Sequence, residues 1–419
     1  MQHADHVSLA GTGDAPHFRA LPPLGLYIHI PWCLRKCPYC DFNSHQRTEG
    51  ADGLPEATYV QALLADLEFA LPSIWGRRVS TVFFGGGTPS LFSPDAIDAV
   101  LAGVRARLPL SPDAEITLEA NPGTFEQARF RGFREAGINR LSLGVQSFDA
   151  RFLSALGRVH DENEARAAAE AAITLFPEVN LDLMYALPDQ GLDDARRDVA
   201  AALALRPTHL SFYHLTLEPN TLFHRYPPPL PDDEAAADIE EAVRADLSGA
   251  GYEHYETSAF ALPGHRCRHN LNYWRFGDYL GIGAGAHSKL SFPNRIVREL
   301  RYKQPQQYMD QALAEQPILE THEVSVNEVG FEFMLNALRL TEGVPAALFE
   351  ERTGRPLTLV QGALERAEQK GLLARDHLHI RPTPLGARFL NDLQAMFLES
   401  DRSPARKAIP IHSAPSGSS

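Results

Sequence analysis

The segment Leu26-Tyr-Ile-His-Ile-Pro-Trp-Cys33-Leu-Arg-Lys-Cys37-Pro-Tyr-Cys40 runs from an apolar, β-rich stretch directly into three closely spaced cysteines. The chain has four cysteines, and the fourth, Cys267, lies far away, so the pattern is not a disulfide framework. In a reducing compartment such clustering indicates a metal site. Structural zinc and iron–sulfur clusters normally take four protein ligands. Three thiolates therefore predict one metal position open for an exchangeable ligand or a substrate, unless Cys267 supplies the fourth.

Further apolar, β-rich segments follow, and helical patterns with apolar residues three and four positions apart lie between them. Strands are predicted at 26–30, 81–84, 115–118, 140–143, 180–185 and 209–214, and helices at 59–71, 94–108, 125–136, 162–176 and 192–205. Strand and helix alternate on the scale of βαβ units, which predicts an α/β fold with a parallel sheet, either open or closed into a barrel.

Polar residues stand where each predicted strand ends. They are Cys33, the segment 85–90, Glu119 with Asn121, Gln146, Asp182 and the pair Tyr213 and His214. Ligands of parallel α/β folds bind at the carboxyl ends of the strands, so we expect these groups to converge on one site. Any one of them could instead cap a helix or a turn, but that reading does not account for all six positions.

Composition excludes several classes of protein. The 419 residues carry a formal charge of −14, which argues against a phosphate-binding basic surface, so no nucleic-acid partner is expected. No apolar run approaches the roughly 18 residues that span a bilayer, and residues 1–23 lack the apolar stretch of a signal peptide. We therefore expect a soluble, cytoplasmic protein.

The alternation stops near residue 220, and a Pro-rich, acidic interruption follows at 227–234. Helical patterns at 328–340 and 359–371 and a hairpin pattern at 372–380 predict a smaller α+β C-terminal domain with a winged-helix-like end. The predicted organisation is a flexible N-terminal segment (1–23), a core (24–250), a C-terminal domain (251–398) and a disordered, Ser/Pro/Gly-rich tail (399–419).

The C-x3-C-x2-C spacing after the first strand resembles the radical S-adenosylmethionine (SAM) superfamily, and Gly85-Gly-Gly-Thr-Pro-Ser90 resembles its glycine-rich segment. The resemblance implies a partial (β/α)6 TIM-type barrel. It also implies that Cys33, Cys37 and Cys40 hold a [4Fe–4S] cluster whose open iron is chelated by SAM.

Longer motifs narrow the resemblance to the coproporphyrinogen-dehydrogenase branch of that superfamily. They are Leu118-Glu-Ala-Asn-Pro122, Gly144-Val-Gln-Ser-Phe148, Leu156-Gly-Arg-Val-His160 and Asn180-Leu-Asp-Leu-Met184. By this resemblance the residues that contact SAM are Tyr27, Tyr39, Gly86, Gly87, Thr88, Glu119, Gln146, Arg158 and Asp182. Read singly, Arg158 could also be a surface ion-pair former and Asp182 a helix cap.

Two features separate the members of that branch. The dehydrogenases carry a further cysteine two residues beyond the third cluster cysteine, where this chain has Phe42. The string His269-Asn-Leu-Asn-Tyr-Trp274 matches the H-N-x-x-Y-W motif of HemW-like proteins. The chain therefore resembles the HemW-like family of heme chaperones, which implies heme as a third cofactor and His269 as a candidate iron ligand, with Cys267 less favoured. Hydrogen bonding of His269 within a turn is the structural alternative.

The expected function is accordingly binding of heme and its delivery to an unknown heme-accepting protein. Contact with a membrane is expected only through a membrane-bound acceptor. The main alternative is an oxygen-independent coproporphyrinogen III dehydrogenase, or another radical SAM enzyme that acts on a tetrapyrrole. A zinc or nucleic-acid-binding module is disfavoured by the three-thiol count and the charge.

Overall fold

The computed structural model describes residues 15–47, 53–123 and 127–398. The strands of this part are, in chain order, β1 (Leu24–Ile30), β2 (Trp32–Cys33), β3 (His45–Gln46), β4 (Val79–Gly86), β5 (Leu110–Ala120), β6 (Arg140–Gln146), β7 (Glu178–Tyr185), β8 (His209–His214), β9 (Glu253–Glu256), β10 (Ala259–Ala261), β11 (Asp278–Ile282), β12 (His287–Phe292), β13 (Arg295–Arg301), β14 (Ile318–Glu323), β15 (Val344–Pro345), β16 (Leu373–Arg375) and β17 (His379–Pro382).

The α-helices of the same part are α1 (Glu56–Ala70), α2 (Pro94–Arg107), α3 (Phe130–Ala136), α4 (Ala150–Ala155), α5 (Glu162–Leu175), α6 (Leu192–Leu205), α7 (Leu222–Arg225), α8 (Asp233–Gly249), α9 (Arg268–Trp274), α10 (Pro305–Leu313), α11 (Val326–Ala337), α12 (Ala347–Thr353), α13 (Gln361–Gln369), α14 (Pro384–Arg388) and α15 (Leu390–Ala395). Short 3₁₀ turns lie at Leu71–Ile74, Pro89–Leu91 and Leu357–Val360.

Twelve of these strands form one open sheet in the order β14-β13-β12-β11-β1-β4-β5-β6-β7-β8-β10-β9. The six predicted strands are β1 and β4 to β8, and they pair in parallel in their chain order. The predicted α/β class is therefore confirmed, with a mostly parallel sheet that is not a closed barrel. A seventh parallel strand, β11, pairs with the other side of β1 and was not predicted.

Local signals in the sequence set the ends of the helices that connect the strands. The Ser93 side chain accepts from the Ala96 amide and Pro94 opens α2, while Asp161 and Glu164 form a capping box on α5. Gly137, in the left-handed conformation (φ 112°), ends α3. These caps fix the strand ends between the helices, and therefore the edge of the sheet at which the polar residues lie.

Residues beyond 250 extend the sheet before they form a separate layer. Strands β9 and β10 add to the β8 edge, while β12 to β14 add antiparallel to β11. The boundary predicted at residue 250 stays a prediction. The predicted tail at 399–419 lies outside the described residues. Residues 1–14 of the predicted flexible segment 1–23 also lie outside them.

The C-terminal module has its own apolar core. Helices α11 to α13 surround a three-stranded sheet of order β15-β17-β16, and β16 and β17 form the predicted hairpin. Phe333, Phe349 and Leu364 are fully buried in this core, and Phe276 and Ile296 from the main sheet region join it. None of the helices in the described residues is both long and apolar enough to cross a bilayer.

Candidate functional site

The cysteine loop is closed at its base by two short strands. β2 and β3 pair in parallel, with Trp32 opposite His45 and Cys33 opposite Gln46, so the intervening residues project as one loop. Within it, the Cys40 amide donates to the Cys37 carbonyl oxygen at 3.2 Å and forms a tight turn. All three cysteines are free and partly exposed, whereas Cys267 is buried. The loop therefore gathers three thiols at the end of β1.

The glycine-rich segment packs its backbone directly against that loop. The Gly87 amide donates to Ile30 O and the Thr88 amide to Trp32 O, both at 2.8 Å. A Cβ at Gly87 would lie 2.6 Å from Trp32 O, and Gly86 has a φ of 116°. Side chains at these two positions are therefore excluded by close approach and by the left-handed backbone.

These elements enclose a cavity of about 390 Å³ at the carboxyl ends of the parallel strands, within the size range of sites for small organic ligands. Eleven of the thirteen residues predicted from the sequence line it: Cys33, Cys37, Tyr39, Cys40, Gly86, Gly87, Thr88, Glu119, Gln146, Arg158 and Asp182. Tyr27 lines a neighbouring cavity instead, and His269 lines neither.

Arg158 connects the cysteine loop to the strand ends. Its Nη2 donates to Asn121 Oδ1 at 2.6 Å and to the Gly144 carbonyl at 2.8 Å, and its Nη1 lies 3.6 Å from Cys37 Sγ. Its Nε is buried and has no hydrogen-bond partner among the described residues. A buried guanidinium with a spare donor in a cavity is suited to bind an anionic group.

Two carboxylates form the opposite wall. Glu119, on β5, accepts from the Gly86 amide at 3.2 Å, and Asp182, on β7, accepts from Ser142 Oγ and Asn180 Nδ2 at 2.8 Å. Burial, followed by the nearby charge of Asp182, raises the pKa of Glu119 to about 8. Burial also raises the pKa of Asp182. Both groups would be more readily ionised beside a cationic ligand.

Sequence reasoning assigned no ligand role to several residues that the structure places at the site. Asn121 donates to Thr88 Oγ1 at 3.0 Å while it accepts from Arg158, so it links the glycine segment to the cation. Tyr213 and His214 line the same cavity at the end of β8. In the sequence, their position at the end of a predicted strand indicates that they lie at the site, but it indicates no ligand role.

His269 lies in α9, away from both cavities, and is 1% exposed. Its Nδ1 is 2.8 Å from Thr81 Oγ1, its Nε2 is 3.1 Å from Tyr273 OH, and its ring stacks on Phe83. Burial lowers its pKa to about 3. The prediction that His269 ligates heme iron therefore stays a prediction, and it requires the hydrogen bond at the ligating ring nitrogen to break.

The donor set of the cysteine loop fits an iron–sulfur cluster, since its three free, partly exposed thiols are the ligands that such clusters take. In a cluster each thiolate binds a different iron, so its ligands surround the cluster rather than one point. The thiols also have supporting contacts, since the Thr88 hydroxyl donates to Cys33 Sγ at 3.6 Å and Ser44 Oγ lies 3.8 Å from Cys40 Sγ.

Comparison with known proteins agrees with this geometry. Residues 27–202 match the Radical SAM superfamily and residues 324–389 match the HemN C-terminal domain. The heme chaperone HemW of Escherichia coli is 50% identical over 380 residues, which cover 90% of this chain and 99% of that protein. The chain belongs to the HemW family. The HemW protein of Haemophilus influenzae is 46% identical, over 91% of this chain and 99% of its own length. The HemW protein of Bacillus subtilis is 34% identical, over 89% of this chain and 98% of its own length.

A solved structure confirms the fold of this HemW family member. Coproporphyrinogen III oxidase (HemN) from Escherichia coli, described as a radical SAM enzyme, superposes with a TM-score of 0.76 at 23% identity and covers 90% of each chain. At that identity the likeness shows the shared architecture. The family resemblance inferred from the cysteine loop and the H-N-x-x-Y-W string is therefore confirmed, whereas the roles of single residues stay predictions.

We expect Glu119→Gln to stabilise the ligand-free protein at alkaline pH. The pKa of Glu119 rises from its ordinary 4.5 to about 8 on folding, so the ionised carboxylate destabilises the folded state increasingly as pH rises between those values. The variant should unfold at the same temperature as the wild type near pH 4.5. It should be more stable by on the order of 1–2 kcal/mol near pH 8, because the cavity still admits some water.

Thermal unfolding followed by circular dichroism across this pH range checks the expectation. Asp98→Ala, at an exposed position on α2, provides a pH-independent control. If the difference in unfolding temperature between Glu119→Gln and the wild type did not change with pH, ionisation of Glu119 would carry no cost in folding stability.

Proposed function

We propose that this protein is a heme chaperone that carries a [4Fe–4S] cluster with SAM on its open iron, binds heme, and delivers it to an acceptor protein in the cytoplasm. The observation that carries the proposal is the single cavity in which three thiols, a cation and two carboxylates meet. Heme is proposed as the ligand because relatives up to 50% identical over nearly their full length are named heme chaperones.

In this proposal Cys33, Cys37 and Cys40 hold the cluster, which when bound supplies an electron and an iron site open to SAM. The other cavity residues then divide by charge. Arg158, with its unpartnered Nε, suits the SAM carboxylate, while Glu119 and Asp182 suit its cationic or hydroxyl groups. The glycine segment lets the backbone approach the ligand closely.

The competing function, coproporphyrinogen III dehydrogenation, is supported by the shared fold with HemN. The sequence opposes it at one position, since Phe42 replaces the additional cysteine of the dehydrogenase pattern. The Phe42 side chain is 62% exposed and lines the cavity, so the position faces the site and carries no thiol there. We therefore expect no conversion of coproporphyrinogen III.

The test is anaerobic reconstitution of the full chain, followed by separate incubation with heme and with coproporphyrinogen III in the presence of SAM and a reductant. We expect a cluster spectrum that responds to SAM, about one heme retained per chain, and no decarboxylated product by chromatography. An active dehydrogenase serves as the positive control. Formation of product would contradict the chaperone proposal, and so would the absence of heme retention by cluster-loaded protein.

A further inference from the structure

A second cavity, of about 640 Å³, lies beside the first and shares with it the residues Asp41, Phe42, Gly86 and Glu119. Its remaining walls come from β1, the cysteine loop, α9, β11 and the segments around residues 285 and 303. The side chains used below are those of Lys36, Tyr279, His287 and Lys303. Tyr27, Gly86 and Glu119 are also predicted SAM contacts, whereas Lys36, His287 and Lys303 have no role toward the cluster or SAM in the proposed function.

A glycine-rich turn brings His287 to the cavity. The turn 283–286 joins β11 to β12, and both Gly283 and Gly285 have positive φ, of 105° and 78°. A Cβ at Gly283 would lie 2.4 Å from His29 O, and one at Gly285 would lie 2.3 Å from Asn43 Nδ2. Only glycine therefore fits between β1 and the cysteine loop, and this close packing fixes the start of β12, where His287 lies.

Side chains from distant elements hold the same turn. The Gly283 amide donates to Tyr308 OH at 3.0 Å, the Ala284 amide donates to Tyr59 OH at 2.8 Å, and the Ala284 carbonyl accepts from Asn43 Nδ2 at 2.9 Å. The turn is therefore a rigid support rather than a loose connection. The backbone that carries His287 is therefore held in place, while its exposed ring can still choose the rotamer that meets a ligand.

The two histidines that line this cavity differ from each other. His29 is buried and hydrogen-bonded at both ring nitrogens, to Tyr27 OH at 3.0 Å and Asn43 O at 2.9 Å. His287 is exposed, and its ring has no hydrogen-bond partner among the described residues. A ring nitrogen without a hydrogen-bond partner at a cavity wall is available to bind a metal.

Two cations flank the same opening. The chain contains five lysines, and Lys36 and Lys303 both line this cavity. The Lys36 ammonium donates to the carbonyls of Phe42 and Ser44 at 3.3 and 3.4 Å, and neither lysine forms an ion pair within the described residues. Two unpaired ammonium groups at one cavity are suited to a ligand with two carboxylates.

We propose that heme binds in this second cavity, with His287 as an axial ligand of its iron and with Lys36 and Lys303 paired to its two propionates. The inference rests on the proposed heme-binding function and assigns it a location. The aromatic rings of Phe42 and Tyr279 provide surfaces against which the macrocycle packs. The heme then lies next to the SAM cavity, across the shared wall.

The first experiment uses the anaerobically reconstituted full chain and follows the Soret band during heme titration. We expect His287→Gly to shift the Soret band and weaken heme binding at least about tenfold, and millimolar imidazole to restore the wild-type spectrum. His377→Gly, at an exposed position on the C-terminal hairpin, is the matched control and should behave as wild type. The cluster absorbance reports that each variant is folded.

The other possible results of this titration would contradict the proposed location of the heme. Unchanged heme spectra and affinity in His287→Gly, beside a wild type that binds heme, would overturn the assignment and leave the chaperone function intact. Loss of heme in His269→Gly with an unaffected His287→Gly would assign the iron to His269 instead. A cluster-loaded wild type that binds no heme would overturn the inference and the proposed function together.

The second experiment tests the lysines with two porphyrins that differ only at the propionates. In Lys36→Ala/Lys303→Ala we expect about tenfold weaker binding of heme and unchanged binding of heme dimethyl ester, because the ester has no anionic groups to pair. Lys370→Ala, at the end of α13, is the control. Equal weakening for both porphyrins, or for neither, would overturn the pairing.

Discussion

We expect serine in place of Cys33, Cys37 or Cys40 to abolish the iron–sulfur cluster. The iron content after anaerobic reconstitution should fall from about four atoms to less than one per chain. A hydroxyl is a poor ligand for iron in such a cluster, and the loop has no spare thiol. Cys267 is 3% exposed and its thiol lies 3.6 Å from Glu115 Oε1, on a different segment. The measurement is iron and sulfide content together with the charge-transfer absorbance.

Cys267→Ser is the matched control for these variants. It changes the same atom at a position outside the site, and a serine hydroxyl can still donate to Glu115, so the cluster should persist. Retention of a full cluster by any variant of the three loop cysteines would contradict the ligand assignment. Uptake of one zinc and no cluster by the wild type would contradict the radical SAM chemistry proposed for this chain.

Much of the site could be predicted from the sequence because its residues stand at places that local patterns mark. Glu119 and Gln146 lie at the ends of β5 and β6, and Asp182 lies three residues before the end of β7; the apolar run of each strand is readable by itself. Parallel pairing then brings strand ends together without any knowledge of the side-chain contacts. The convergence of eleven predicted residues on one cavity follows from this topology.

The features that were missed depend on contacts between distant parts of the chain. Strand β11 is five residues long and contains Asp278 and a glycine, so it carries little strand signal. It forms because β1 offers a free parallel edge more than 240 residues earlier in the chain. His269 was interpreted through its motif. Its burial results from Thr81, 188 residues away, and Phe83, which no local pattern reveals.

The side chains that hold the turn beside the second cavity could not be predicted either, because they too come from distant parts of the chain. Asp66, on α1, is fully buried and accepts from Arg301 Nε and Nη2 at 3.2 Å, from Tyr308 OH at 2.9 Å and from the Gly283 amide at 3.3 Å. A charged residue in a helix ordinarily reads as part of a solvated face. Here it joins α1 to β13, α10 and the turn that places His287.

We expect Asp66→Ala to lower the free energy of unfolding by about 3 kcal/mol, because it leaves part of a buried guanidinium and a buried phenol without their acceptor. Arg301 keeps Glu299 and Ser288 as partners, which holds the cost near the lower end of the range for broken buried pairs. Asp98→Ala on α2 removes an exposed carboxylate from a helix and should change stability by less than about 0.5 kcal/mol. Urea unfolding followed by circular dichroism gives the comparison.

The double variant Asp66→Leu/Arg301→Met separates the two sources of this loss. If the cost of Asp66→Ala arises from stranding a buried cation, replacing both partners by apolar side chains of similar size should recover at least half of the lost stability. If the loss instead arises from the support of the turn, the double variant should stay as unstable as the single one, because the Tyr308 hydroxyl still lacks its acceptor. The geometry favours recovery, since the Gly283 amide keeps the Tyr308 hydroxyl at 3.0 Å as its acceptor when Asp66 is removed.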